Sequence, residues 1–267
     1  MTLSRPSLEL TSLTHSGMVR SHNEDHHMVD AARGLAILAD GMGGYNAGEV
    51  ASEMAVSQLA AGLGDAAADA APAALVRRQV ERINAAIYDA AQSQPQCAGM
   101  GTTLVSALFR PGRMTVAHVG DSRLYRWRGG AFQAITRDHS LLQEQIDSGL
   151  ISVEEARRSH NKNLVTRALG VEPTVEVEVH EHDTQPGDLY LLCSDGLNDM
   201  VADDDIERVL HAYGTQLSAA AQQLVQLANH NGGRDNVTVI LARVLEKPVE
   251  RGMLARLAAW VRPGAAS

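Results

Sequence analysis

The stretch LAILADGMGG, residues 35–44, sets five consecutive aliphatic residues against one aspartate and three glycines. Leu35 to Ala39, bounded by Gly34 and Gly41, is too short and too uniformly apolar for an amphipathic helix and reads as a buried strand. Asp40 then sits at the mouth of that strand. Alone, an Asp-Gly pair is also an ordinary turn. Recurrence favours more than a turn: Asp121 in VAHVGDSRLY, Asp195 in LYLLCSDGL and Asp235 in GGRDNVTVI each adjoin an apolar run as Asp40 does. Carboxylates gathered at strand ends repel one another, and a divalent cation offsets that cost. Oxygen ligands without a Cys or His partner suit Mg²⁺ or Mn²⁺ rather than Zn²⁺. A carboxylate-bound dinuclear site is therefore expected, although spacing alone does not bring four residues together.

Bulk properties narrow the class. The 267 residues are enough for one large domain with a substantial core. A net charge of −9 argues against a non-specific nucleic-acid binder, which needs clustered cations. Cys97 and Cys193 are the only cysteines, too few for a disulfide framework or a thiolate zinc site. With no apolar leader in MTLSRPSLEL and no run near the ~18 apolar residues that span a bilayer, a cytoplasmic protein with no transmembrane segment is expected.

No internal repeat is visible, and AAGLGDAAADAAPAAL, residues 60–75, reads as a helix end, a loop and a helix start within one domain. Helical spacing is offered by Val50, Met54 and Leu59, by Val76, Val80, Ile83 and Ile87, and by Leu217, Ala221, Leu224 and Ala228. Strands are predicted in residues 114–127, 174–182, 188–196 and 236–244, the second alternating from Val175 to Val179. Helices between blocks of strands favour an α+β fold with mainly antiparallel sheets over a doubly wound parallel sheet.

The motifs GMVRSHNED (17–25), ADGMGG (39–44), MGTT (100–103), VGDSRLY (119–125), TRDHS (136–140), LVTRALG (164–170), LCSDGLND (192–199) and GGRDNVTVI (232–240) follow one another along nearly the whole chain. In that order they resemble the motif series of the bacterial metal-dependent type 2C (PPM family) serine/threonine protein phosphatases. The resemblance implies an α-β-β-α sandwich of two mainly antiparallel sheets flanked by helices, with a small flap subdomain about residues 141–163. It places the phosphatase domain at 1–247 and leaves 248–267 as a tail. There Leu254, Leu257, Ala258 and Val261 would share one face of a short amphipathic helix, either membrane-surface, core-packed or frayed.

The resemblance also implies the site. Two Mn²⁺ or Mg²⁺ ions would sit in the cleft, and a water bridging them would attack phosphorus directly. Asp40 would bridge both ions and Gly41 would lend its backbone carbonyl. Asp195 and Asp235 would be direct ligands, Glu24 would act through metal-bound water, and Asp121 would serve a third, weaker metal with Asp195. Arg20 would hold phosphate, for which a guanidinium offers two parallel donors. The chain departs from the pattern at Met42, where animal members carry a histidine proposed as general acid; a thioether cannot donate that proton. It departs again at His160 and Asn161, where relatives usually have a proline after the histidine.

The remaining polar residues have plain structural readings. His22, His26 and His27 read as part of a polar loop, His139 as a structural hydrogen-bonding residue, and Cys193 as an inert buried thiol. The expected partners are phosphorylated proteins and a cognate Ser/Thr kinase, the expected state a monomer. A pseudophosphatase that only binds, or a small-molecule phosphomonoesterase, would carry the same sandwich. The retained Asp40, Asp195 and Asp235 weigh against the first, and comparing phosphopeptide with metabolite turnover separates the second.

Overall fold

A computed structural model describes residues 7–44, 47–64, 71–152, 155–156 and 164–246. The amphipathic tail, His160, Asn161 and most of the second half of the flap lie outside the described residues. Two antiparallel sheets stack face to face. One has the order β1 (Leu8–His15), β11 (Val237–Val244), β10 (Leu189–Cys193), β7 (Arg123–Arg128), β8 (Ala131–Ala134). The other runs β2 (Asp25–Asp30), β3 (Leu35–Met42), β5 (Leu104–Arg110), β6 (Arg113–Val119), β9 (Glu178–Asp183), with the short β4 (Gly101–Thr102) on the end of β3. Helices α1 (Ala47–Leu63) and α2 (Pro72–Ser93) cover the second sheet, and α5 (Asp203–Tyr213) and α6 (Leu217–His230) cover the first. The expected α-β-β-α sandwich is the observed architecture.

Four layers enclose three cores, which explains the apolar run of residues 35–39. Side chains alternate across a strand, so Leu35, Ile37 and Ala39 pack under α1 and α2 while Ala36 and Leu38 enter the space between the sheets. Both faces of β3 are covered, and a polar residue on either face would be buried without a partner. Strand β10 repeats the logic: Leu189, Leu191 and Cys193 face α5 and α6, whereas Tyr190 and Leu192 meet Phe109 and Ile240 between the sheets. Tyr190 packs edge-on against Phe109 with ring centroids 5.4 Å apart.

Three local expectations are corrected, the first being that His26 and His27 lie in strand β2, paired with Ala39 and Leu38, rather than in a polar loop. In α1 the buried face is Ala47, Ala51, Ala55, Val56, Leu59 and Leu63, while Val50 is 39% exposed. Alanines allow the helix to lie close to β3, so the larger Val50 is turned outward. The alternating run from Val175 is strand only from Glu178 onward. Its partner β6 ends at Val119, where the chain turns at Gly120, and Glu178 pairs with His118 at the end of that ladder. The stripes of α2 and α6 are buried as expected. Helix α3 (Leu141–Asp147) opens the flap, with Ser140 capping its N-terminus and Ser148 and Gly149 following its last turn.

Candidate metal centre

The motif aspartates meet at one end of the sandwich. Asp40 lies two residues before the C-terminal end of β3, Asp121 lies in the turn between β6 and β7, Asp195 follows β10 as the first residue of α4 (Asp195–Asn198), and Asp235 precedes β11. Their charges act on one another. Burial, then the charges of Asp25, Asp195, Asp121 and Asp235, hold the Asp40 carboxyl well above the usual carboxylate range. Burial, then Asp121, Asp199, Asp235 and Asp25, do the same to Asp195. Asp121 is pushed up to about 7 by burial and by Asp138 and Asp199. Such mutual repulsion in a cleft is the environment that a bound cation relieves.

Asp25, adjacent to Glu24, is a member of this cluster that the sequence reading left out. It pairs directly with Asp40 in the β2–β3 register and is buried. Its Oδ2 accepts from Thr238 Oγ1 at 2.6 Å and Ser194 Oγ at 2.8 Å, tying one sheet to the other. Its Oδ1 is buried without a partner among the described residues. Burial raises Asp25 to about 6 despite those two hydroxyls. The signal for it was faint: a single carboxylate next to Glu24, where a solvated pair is the ordinary expectation.

Backbone contacts fix the direction of Asp40. Its N–H donates to Thr103 Oγ1 at 3.0 Å, and its carbonyl accepts from Thr103 N at 2.9 Å and Thr102 Oγ1 at 2.8 Å. Thr103 Oγ1 in turn lies 2.7 Å from Ser122 Oγ, beside Asp121. Gly41 donates its N–H to Glu24 O at 3.1 Å, and Ser52 Oγ donates to the same carbonyl at 2.6 Å. A Cβ on Gly41 would stand 2.2 Å from the Gly48 carbonyl oxygen and 2.6 Å from that of Glu24. The glycine therefore admits the first turn of α1. Gly41→Ala is expected to destabilise the fold by about 2–4 kcal/mol in denaturant unfolding, because the obstructing atoms are backbone.

Glu24 lies beside that helix start. Burial raises its carboxyl, while Arg20 and the Gly48 backbone hydrogen bond oppose the shift. Arg20 is half-exposed, and its Nη2 donates to Asp235 Oδ2 at 2.8 Å. The other Asp235 oxygen accepts from Asn236 N at 2.9 Å. The Asn236 side chain gathers the N-terminal motif, accepting from Glu24 N at 2.8 Å and donating to the carbonyls of Ser16 and His22. Charge interactions and hydrogen bonds thus link Arg20, Glu24, Asp40, Asp121, Asp195 and Asp235 into one cluster, with Gly41 bonded to the Glu24 backbone.

A cavity of about 600 Å³ is lined by Asp121 and Asp195 together with Met200, Val201, and Leu142 and Ile146 of the flap. Among the described residues, only His118, His139 and Glu178 bring three ligand atoms within 4.8 Å of one another. The aspartates are spaced more widely. Mg²⁺-like ions keep several waters in their shell, so a hard-cation site does not need three protein ligand atoms that close. Met42 ends β3 opposite Gly101, and Cys193 is buried with its thiol pushed up by burial, so neither offers a proton or a thiolate to the cleft.

Fold and cleft define the class: a four-layer sandwich enzyme with an acidic centre at the strand ends. The family model for protein phosphatase 2C matches residues 15–239. The serine/threonine phosphatase stp of Listeria monocytogenes is 40% identical over 234 residues, covering 85% of this chain and 92% of that protein. The crystal structure of the PstP catalytic domain in complex with two manganese ions superposes with a TM-score of 0.82 at 39% identity, over 90% of this chain and 99% of that one. Stp1 from Staphylococcus aureus superposes with a TM-score of 0.83 at 35% identity, over 90% and 96% of the two chains. The chain belongs to the protein phosphatase 2C family, and its enzyme class is serine/threonine protein phosphatase. Among the described residues no helix is long and apolar enough to cross a membrane.

Proposed function

We propose that the protein hydrolyses phosphoserine and phosphothreonine monoesters on proteins phosphorylated by a bacterial Ser/Thr kinase, acting as a cytoplasmic monomer through its 1–247 domain. The observation that carries this reading is the cluster of buried carboxyls at Asp40, Asp195, Asp121 and Asp25, each raised by burial and by neighbouring aspartates. The donor set fits hard cations: every candidate ligand is an oxygen, and the buried Asp25 Oδ1 lacks a partner among the described residues. Asp40, Asp195, Asp235 and the Gly41 carbonyl would hold two Mn²⁺ or Mg²⁺ ions, Glu24 would act through water, and Asp121 would serve a third ion with Asp195. Bound there, two divalent cations would acidify a shared water as the nucleophile and offset charge on the phosphoryl oxygens.

The chain's own residues then supply orientation. Thr103 and Thr102 clamp both backbone groups of Asp40, so its carboxylate is aimed before any ion arrives. Arg20 would turn from Asp235 to two phosphate oxygens, a modest movement for a half-exposed side chain. Asp25 would hold the ligand strands together through Ser194 and Thr238. With Met42 in place of an acid, the departing alkoxide takes its proton from another group in the cleft.

The deciding experiment compares turnover of phosphoserine, phosphothreonine, phosphotyrosine and small metabolite phosphates with and without Mn²⁺. Mn²⁺-dependent turnover of the first two supports the proposal; preference for metabolites favours the phosphomonoesterase reading, and no turnover favours a binding module. For Arg20→Ala, KM is expected to rise about tenfold, the loss of ~1.4 kcal/mol of charge-assisted hydrogen bonding, with a smaller change in kcat. Steady-state kinetics on a phosphopeptide reads this, and an unchanged KM returns Arg20 to the surface.

A further inference from the structure

The turn that carries Asp121 is held by a residue outside the cleft. Gly120 leaves β6 at φ +107°, and a Cβ there would stand 2.7 Å from the Thr103 side chain, so the turn is pressed against the threonine that clamps Asp40. His139 closes both polar groups of Gly120: its backbone N–H donates to the Gly120 carbonyl at 2.8 Å, and its Nδ1 accepts the Gly120 N–H at 3.0 Å. The His139 carbonyl accepts from Thr166 N at 2.8 Å, linking the same point to the LVTRALG segment.

The ring's orientation is itself determined. A backbone N–H can only donate, so Nδ1 carries the lone pair and the neutral ring holds its proton on Nε2. Glu178 Oε1, a pure acceptor, lies 3.2 Å from that nitrogen. Arg167 Nη1 lies 3.2 Å from it too, but a second donor cannot bond a protonated Nε2; Arg167 instead pairs with Glu176 and sits beside the ring as a neighbouring charge. His118 stacks on the other face at 4.7 Å and is fully buried, a flat wall against the imidazole. The same arrangement argues against a cation among His118, His139 and Glu178, because the Gly120 bond denies the neutral ring a free lone pair at Nε2.

We infer that His139 is a positioning residue, which fixes the Gly120 peptide and so aims the Asp121 carboxylate into the cleft, setting the affinity of the cation site that Asp121 serves with Asp195. The affinity part rests on the reading of Asp121 given above; the anchoring of Gly120 does not. Glu178 acts one step further back by selecting the tautomer that leaves Nδ1 free to accept. Flap-proximal segments are thereby joined to the weakest metal site through one side chain.

The test uses the substitutions His139→Ala, His139→Asn and His139→Gln. Asn places an oxygen where Nδ1 stands, whereas Gln places one near Nε2, so only Asn can accept from Gly120. Two measurements are made on the metal-free full chain: amide hydrogen exchange at Gly120, and Mn²⁺ binding by calorimetry. Expected for His139→Ala are exchange at Gly120 faster by about tenfold and a weakest Mn²⁺ step weaker by about tenfold. Asn is expected to restore both to within about threefold, and Gln neither. If the Asn and Gln variants, equally folded by melting temperature, behave alike at Gly120, the anchoring is overturned. If Gly120 responds as expected while Mn²⁺ binding does not, the affinity part falls. A parallel Asp121→Asn variant that keeps the weakest Mn²⁺ step overturns the cation reading of Asp121 itself and leaves the Gly120 result to judge the anchoring.

Discussion

Asp40→Asn is expected to lower kcat by about three orders of magnitude, roughly 4 kcal/mol of barrier, while raising the melting temperature of the metal-free protein. The two effects have one cause. Asp40 is held well above the usual carboxylate range by burial and by Asp25, Asp195, Asp121 and Asp235, so its charge is unfavourable in the fold without a cation. An amide of the same shape removes that repulsion and keeps the backbone clamp from Thr103, which does not involve the side chain. It also removes the carboxylate proposed to bridge two ions. Stability gained where activity is lost marks a residue kept for chemistry. Phosphopeptide kinetics and metal-free thermal melting on one preparation read both quantities. An equally active variant, or one that melts lower, contradicts the role given to Asp40.

Removal of metal should abolish turnover, with Mn²⁺ or Mg²⁺ restoring it, since the chain contributes no acid or nucleophile of its own at Met42 or Cys193. Full activity in chelator would end the two-cation mechanism. Chelation should also expose a pH dependence of folding. Asp25 and Asp121 ordinarily titrate near 3.8 and are raised to about 6 and about 7 in the fold. Between those limits the folded chain holds protons that the unfolded chain releases, so stability is highest at low pH within this window and falls as pH rises. The metal-free protein should melt higher at pH 5 than at pH 8, and Mn²⁺ should reverse the order by replacing the protons as the neutralising charge. Thermal melts at both pH values, with and without Mn²⁺, check the sign.

The run Leu35–Ala39 could be read as a buried strand because both of its faces are covered, and a strand between two cores must be apolar at every position. Asp40, Asp121, Asp195 and Asp235 could be picked out because each interrupts such a strand at its end, where a carboxylate has no packing reason to be. The stripes of α2 and α6 were legible for the same reason: a face buried against a sheet imposes the helical period on its apolar residues. Val50 misled because spacing reports which residues share a face, not how closely the helix must approach; the alanines of α1 were the packing face. The strand start at Glu178 was hidden because it depends on where β6 ends.

The sequence by itself determined the family, the α+β class, and the residue types that point to hard cations, all of which are carried by local pattern and by motifs in order. Only the tertiary structure decided which carboxylates share the cleft. Asp25 joins because the β2–β3 register sets it opposite Asp40 and because hydroxyls from the other sheet, Ser194 and Thr238, reach it across the sandwich. His139 reaches Gly120 because β6 turns back at the point where TRDHS passes. Such contacts join residues up to 213 positions apart. Periodicity fixes which side of an element faces inward, but partners across the sandwich are chosen by strand register and sheet stacking, which the local pattern does not contain.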